Sequence, residues 1–484
     1  MPPKTDALLS ASIAVRRQCS MAHVHAEVQS MRMFISTVLF SMGGLLTTAN
    51  AFAQTAPAPA AAPAAAAPAA AAPAPQAAPP APTPVAAAPA APATPPPVAP
   101  AAPAEAGHWW DKFAADAFVD AYGAVDWSQN PKFPPPFSQA PVRLRQFDVA
   151  QGFALNWAGV NASYSSDTIG GTVGLRFGPG AAIYNSGSDD SNGLMNVKQA
   201  YATWKAIDKL TLDFGKWDEP FGSEVADSQL NMNYSRSILF TYAQPLFFTG
   251  LRADYAASDQ LDVKVFAVNG WNNSIDNNRG KTFGGQVMVK PADMAVLYLG
   301  YAGGPEQNDV VAVANPATGS SLSDVAGGNS NWRHLVDFVA DINPTKELRF
   351  LLNADYLTEE GLGNHSAVVY GANLVARYNV TDAFNAALRG GYLHDEHGDR
   401  VTAGLLPAGF VGLPNGASAN VEDITLSLNY GIGNHLAFML DNRVDITDYR
   451  SPGSETAIFY AGANTNDTYK TQFTTTLGII ASTK

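Results

Sequence analysis

Residues 420–447 read NVEDITLSLNYGIGNHLAFMLDNRVDIT. Ile424, Leu426, Leu428 and Tyr430 alternate with Asp423, Thr425, Ser427 and Asn429. After a turn at Asn434, Leu436, Phe438, Leu440 and Val444 are set against Met439, Asp441, Arg443 and Asp445. Period-two alternation on both sides of so short a turn predicts an antiparallel strand pair with one apolar and one polar face. Working outward, the pattern repeats. Phe384, Ala386, Leu388 and Tyr392 oppose Asn385, Arg389 and Gly391. Leu348, Phe350, Leu352, Ala354 and Tyr356 oppose Arg349, Leu351, Asn353 and Asp355. Val336, Phe338, Ala340 and Ile342 oppose Leu335, Asp337, Val339 and Asp341.

The reading extends to sixteen strands, at 115–127, 142–165, 170–178, 196–207, 210–217, 248–256, 260–270, 281–290, 294–303, 332–342, 347–357, 366–379, 383–394, 420–432, 435–447 and 468–482. Their connections alternate short and long. Short ones lie near 166–169, 208–209, 257–259, 292–293, 344–346, 381–382 and 434. Long ones lie near 128–141, 179–195, 218–247, 271–280, 304–331, 358–365, 395–419 and 448–467. Short turns at one end, long polar loops at the other and an even strand count predict an all-β fold, a transmembrane antiparallel β-barrel with both termini on the short-turn side. A soluble sandwich alternates too, with its apolar face inward, so periodicity leaves open which face points out.

One connection differs from the rest. Residues 213–250 read DFGKWDEPFGSEVADSQLNMNYSRSILFTYAQPLFFTG. The stretch leaves the sheet after Leu212 and Phe214 and rejoins it at Leu251, Ala253 and Tyr255. A detour this long between paired strands usually serves a function, and we expect it to fold into the mouth or lumen of the barrel. Its segments Gly215-Lys216-Trp217-Asp218-Glu219-Pro220-Phe221-Gly222-Ser223-Glu224, Asn233-Tyr234-Ser235-Arg236-Ser237, Gln244-Pro245 and Thr249-Gly250-Leu251-Arg252-Ala253 resemble, in this order, the signature region of the OmpL-like β-barrel porins of the porin-2 type. The resemblance runs more loosely from about Ala115 to the C-terminus and does not touch residues 1–107. It implies an outer-membrane porin passing small hydrophilic solutes or ions by passive diffusion, without cofactor or covalent chemistry. Asp218, Glu219 and Glu224 are then expected to face Lys216, Arg236 and Arg252 across a constriction, where opposed charges orient and filter polar solutes. The plainer alternative is that these charges pair with one another and only pin the loop.

Composition agrees with a barrel. The chain has 484 residues, of which only 15% are charged, with 41 Gly and 17 Tyr, which suits a lipid-facing sheet with aromatic girdles. Net charge is −13. Residues 1–107 hold Lys4, Arg16, Arg17 and Arg32 against Asp6, Glu27 and Glu105, so the acid sits in the body. An acidic body argues against nucleic-acid binding and, in a lumen, favours cations. The one cysteine, Cys19, rules out an internal disulfide and a thiolate metal cluster.

The N-terminal 107 residues are organised differently. Residues 1–30 show no pattern and read as an over-extended start. Met31-Arg32-Met33, the apolar run Phe34–Leu46 and an Ala-x-Ala site predict a secretory signal peptide over 31–53, cut between Ala53 and Gln54. Residues 54–107 are almost wholly Ala and Pro. Alanine builds no core and proline blocks helix, so a disordered, extended tether is expected, either a spacer or a contact to the cell wall. The barrel domain follows at 108–484, opening on His108-Trp109-Trp110 and Phe113, placed to sit at a membrane interface or to pack the rim.

Other chemical signals are weak. His394-Asp395-Glu396-His397 with Asp399 offers metal-ligand types, but strand neighbours point to opposite faces, and a solvated loop is the better reading. Asp189-Asp190-Ser191-Asn192 and the run 272–278 are oxygen-rich but lack a spaced calcium loop. No nucleophile-elbow, P-loop or zinc-protease motif occurs, so no catalytic residue is assigned. The rivals to a porin are a structural or adhesive barrel plugged by its loop and a barrel hydrolase. Expected partners are outer-membrane lipid, the solutes and the barrel-assembly machinery. The final residues Ile479-Ile480-Ala481-Ser482-Thr483-Lys484 lack the terminal aromatic that this machinery commonly reads. No interface signature decides for or against a homo-oligomer.

Overall fold

The computed structural model describes residues 108–128, 142, 144–185, 189, 193–315, 319–324, 327–362, 365–401, 418–448, 459–460, 468–469 and 471–483. The readings made on residues 1–107 (extension, signal peptide, Ala53/Gln54 cleavage, tether) lie outside them.

Strands dominate. The first nine are β1 (Phe113–Asp126), β2 (Gly152–Ser165), β3 (Ile169–Phe177), β4 (Val197–Ile207), β5 (Leu210–Asp218), β6 (Phe247–Ser258), β7 (Leu261–Val268), β8 (Thr282–Ala292) and β9 (Ala295–Pro305). A hairpin of β10 (Val310–Asn315) and β11 (Gly319–Asp324) follows. Then come β12 (Trp332–Ile342), β13 (Leu348–Leu362), β14 (His365–Asn379), β15 (Phe384–Asp395), β16 (Ala419–Ile432) and β17 (Leu436–Thr447). A second small pair, β18 (Phe459–Tyr460) and β19 (Thr468–Tyr469), precedes β20 (Thr471–Ser482). Leaving out the two small hairpins, sixteen strands pair antiparallel in chain order, and β20 returns to β1 with Phe118 opposite Ser482 and Asp126 opposite Thr474. The sheet is a closed barrel, so no strand edge is left to be satisfied in an apolar medium.

The structure answers the question that periodicity left open. On β16, Ile424 is 40% exposed and Tyr430 49%, while Asp423, Thr425 and Ser427 are 0%. Val336 and Tyr356 likewise point out, and Asp337 and Asp355 point in. Apolar side chains cover the outside and polar ones line the inside, the reverse of a soluble sandwich.

The strand expected at 347–357 runs on to Leu362, into the connection expected at 358–365, and two other boundaries differ from expectation for a visible reason. The stretch 142–165 alternates from its start, but the strand begins at Gly152. Before it, Leu144 takes φ 56° and Val142 N–H donates to Val149 C=O (2.7 Å), closing a turn. Arg145 then reaches the interior wall, donating to Asp445 (3.2 Å) and to Thr474. The last strand begins at Thr471 rather than 468, because Thr468 and Tyr469 pair with Tyr460 and Phe459 in the preceding loop. Trp110 and Phe113 are exposed at the rim of β1.

Candidate functional site

The interior is organised by the residues between β5 and β6. Asp218 and Phe247 are paired across the two strands, so the chain leaves and re-enters the sheet at one point. Just below, Gly215 (φ 140°) and Gly250 (φ 158°) face each other. A Cβ on either would lie 2.2 Å from a neighbouring carbonyl oxygen, of Ala200 or Ala267. Only glycine allows the backbones to come this close at the root of the loop.

From that root the segment makes bonds to much of the inner wall. Gly222 N–H donates to Asp337 on β12 (3.1 Å), and Gln286 on β8 donates to Pro220 C=O. Phe221 packs edge-on against Phe248 and Phe266. Arg176 on β3 makes a two-pronged bond to Asp227 (3.1 and 2.8 Å). Asp120 on β1 accepts from Ser228 Oγ (2.7 Å) and Tyr234 OH (2.8 Å). Asn233 donates to Ser427 (2.6 Å), and Asp441 on β17 accepts from the Tyr234 and Ser235 amides and from Ser235 Oγ. Ser237 caps the short helix Ile238–Ala243 through Phe240 N–H (3.2 Å), a standard use of a serine hydroxyl at a helix start. Gln244 ends the helix by donating to Asn353 (2.8 Å) and Asp355 (2.7 Å) on β13.

Arg389 on β15 is the hub. It donates to Glu224 (3.0 Å), Asp423 (2.9 Å), Thr425 (3.0 Å) and the Ser235 carbonyl, and is 0% exposed. Arg443 on β17 donates to Arg236 C=O (2.6 Å) and pairs with Asp445 (2.6 Å). Apolar packing fills the gaps. Ile238, Leu239 and Tyr242 join wall residues Leu335, Leu357, Val369, Leu393 and Val421 in one cluster. Met232 meets Val339, Leu351, Val375 and Ala387 in another.

The six charges expected to oppose one another do not pair among themselves. Lys216 donates to Asp189 and Asn185 (both 2.6 Å), under the 179–195 loop. Asp218 accepts from Lys198, from Gln199 (2.8 Å) and from Tyr184 OH (2.6 Å). Glu219 accepts from Phe221 N–H, and burial pushes its carboxyl well above the ordinary range. Glu224 bonds Arg389 and the Ser237 amide. Arg236 donates to the carbonyls of Tyr234 and Ala226 and covers Phe147 (4.8 Å). Arg252 makes a two-pronged bond to Asp213 (3.1 and 2.7 Å) under Trp217. Arg389, Asp423, Asp441 and Asp120 were not singled out, although three of them stand on a strand's polar face. In the 394–399 stretch, His394 bonds Asn420, Asp395 accepts the amides of 399–401, and Asp399 bonds His365 (3.0 Å).

The profile of the family described as "Putative beta-barrel porin-2, OmpL-like" matches residues 112–482. The chain belongs to this porin family. The match covers the whole barrel and includes the loop at its centre. No curated protein matches the sequence. Among solved structures, the chain is similar to the outer membrane channel DcaP of Acinetobacter baumannii (11% identity, 76% of this chain and 96% of that one, TM-score 0.47). It is similar to an anion-selective porin from Comamonas acidovorans (11%, 76% and 99%, TM-score 0.45) and to Salmonella typhi OmpF (14%, 77% and 98%, TM-score 0.44).

Proposed function

We propose that this porin passes small hydrophilic solutes or ions by passive diffusion across the outer membrane, through a lumen narrowed by residues 218–247. The observation that carries the reading is the loop's set of bonds to inward-facing side chains of β1, β3, β8, β12, β13 and β15–β17. A sixteen-stranded barrel is wide enough for an aqueous channel, and a loop laid across it sets the size limit. Within the proposed constriction the six charges divide by role. Glu224, Arg236 and Lys216, nearly buried, hold the segments in place. Asp218 and Arg252, only partly covered, border the remaining space, where a cation-favouring field follows from the acidic body, and the Glu219 carboxyl is buried beside them. Transport of this kind needs no cofactor and no catalytic group. The outer leaflet and the barrel-assembly machinery are its expected partners, with residues 54–107 as a tether after export. Proteoliposome swelling in sugars of graded size tests it. Rates should fall steeply with solute size, and equal, background-level rates for all sugars would exclude an open pore.

A second reading has one observation in its favour. Wall groups such as Arg389, Asp423, Arg443 and Asp445 are completely buried, Arg389 and Asp423 against the loop, Arg443 against the loop and Leu144, and Asp445 against Arg145, as in a plugged structural barrel. Background swelling from a folded barrel would favour that reading.

A further inference from the structure

The lumen-facing cations are almost all neutralised. Lys198, Lys216, Arg176, Arg252, Lys264, Arg333, Arg349, Arg389 and Arg443 each pair with a carboxylate. Arg377 on β14 does not. Among the described residues no carboxylate, carbonyl or aromatic face pairs with it, and its Nε is enclosed without a hydrogen-bond partner. Arg377 shares the inner face of β14 with Asn373 and Val375, while Leu374 and Tyr378 point outward.

Its neighbour makes the isolation sharper. Arg377 stands directly opposite Arg349 on β13. Like charges facing across a strand pair are destabilising, because their side chains project from Cβ atoms only about 5 Å apart. Arg349 makes a two-pronged bond to Asp341 (2.8 and 2.7 Å), which also attracts Arg377 without bonding it, so one carboxylate serves two positive charges. A net positive charge remains in the lumen.

The position is specific. Met232, on the 218–247 loop, rests on Leu351 and Val375, which face each other across the same two strands. Arg349 and Arg377 are the next inward-facing pair toward the short turns, about 7 Å further along at roughly 3.3 Å per residue. They form the first layer of wall beyond this contact, next to the turn-side mouth.

We propose that Arg377, with Arg349, is an anion subsite that takes the oxyanion group, carboxylate or phosphate, of a small solute at the turn-side end of the lumen. An oxyanion between the two guanidinium groups meets the outer N–H groups of the Arg377 fork and offsets the like-charge repulsion. The site lies in a lumen that is acidic as a whole, so it acts as a local station for anionic groups rather than a reversal of bulk selectivity. Its role in transport rests on the porin reading, but anion binding does not.

The test therefore reads binding on the full-length protein folded in detergent, with no need for conduction. Inorganic phosphate and acetate are titrated calorimetrically at low ionic strength, where screening is weak. Saturable binding of at least one is expected, weakened about tenfold or more in Arg377→Gln, the loss of one charge-assisted contact. Lys209→Gln, which removes the same charge from an exposed turn, should bind as wild type. Tighter phosphate points to a phosphorylated solute and tighter acetate to a carboxylate, and either order supports the site. Absence of saturable binding to wild type, equal binding to Arg377→Gln, or equal loss in Lys209→Gln would each overturn it. Arg377→Lys, retaining charge without the planar fork, checks folding and should recover part of the affinity.

Discussion

Replacing residues 223–244 with a short Gly-Ser linker is expected to raise single-channel conductance several-fold while leaving the barrel folded. The excised segment carries Glu224, Asp227, Tyr234, Ser235, the helix Ile238–Ala243 and Gln244, which together bond the inner wall on β1, β3, β13 and β15–β17. The strand ladder closes without it, since β5 and β6 pair through Asp218 and Phe247 on their own. Arg389, Asp423 and Asp441 then face water, where charged groups are well solvated and need no protein partner. Planar-bilayer recording reads the result, and heat-modifiable migration on a gel confirms the fold. Unchanged conductance from a folded variant would remove the loop from the permeation path.

Arg389→Ala is expected to detach the loop without deleting it. Arg389 ties Glu224 and the Ser235 carbonyl of the loop to Asp423 and Thr425 of β16, all buried. Removing one partner of a buried ion pair strands the others, at a cost of about 3–5 kcal/mol. Two carboxylates, Glu224 and Asp423, lose their guanidinium at once, although Arg443 stays within 4.0 Å of Asp423. Conductance should become noisy and larger on average, and protease should cut between residues 223 and 243 in the variant but not in wild type. Arg389→Ala combined with Glu224→Gln should lose less than the single change, since one stranded charge is gone. Protection and conductance identical to wild type would show that the loop is held by its apolar contacts instead.

The barrel was readable because its code is local. Alternation along Ile424, Leu426 and Leu428 needs only neighbours two residues apart, and each short turn fixes the pairing of the strands around it. The same locality misled at 142–151. Val142 and Leu144 alternate with Arg143 and Arg145 like a strand, but Arg145 finds Asp445 some 300 residues away, and that contact draws the chain off the sheet. The site was half readable. Its loop stood out by length and composition, and Arg389, Asp423 and Asp441 were visible as polar residues on strand faces. Their partners were not visible, because Glu224 and Arg389 are separated by 165 residues and no spacing rule connects them. Lys216 shows the same limit. It was expected opposite acids of its own loop, but the 179–195 segment folds back and supplies Asp189.

A conducting lumen narrowed by the 218–247 loop has a specific electrical signature. The most direct measurement is single-channel conductance of the purified protein in a planar bilayer across a salt gradient. Discrete open steps with a reversal potential biased toward cations, smaller than the steps of the loop-excised variant, are the predicted result. A folded, heat-modifiable barrel that shows no steps, with the loop present or removed, would contradict it.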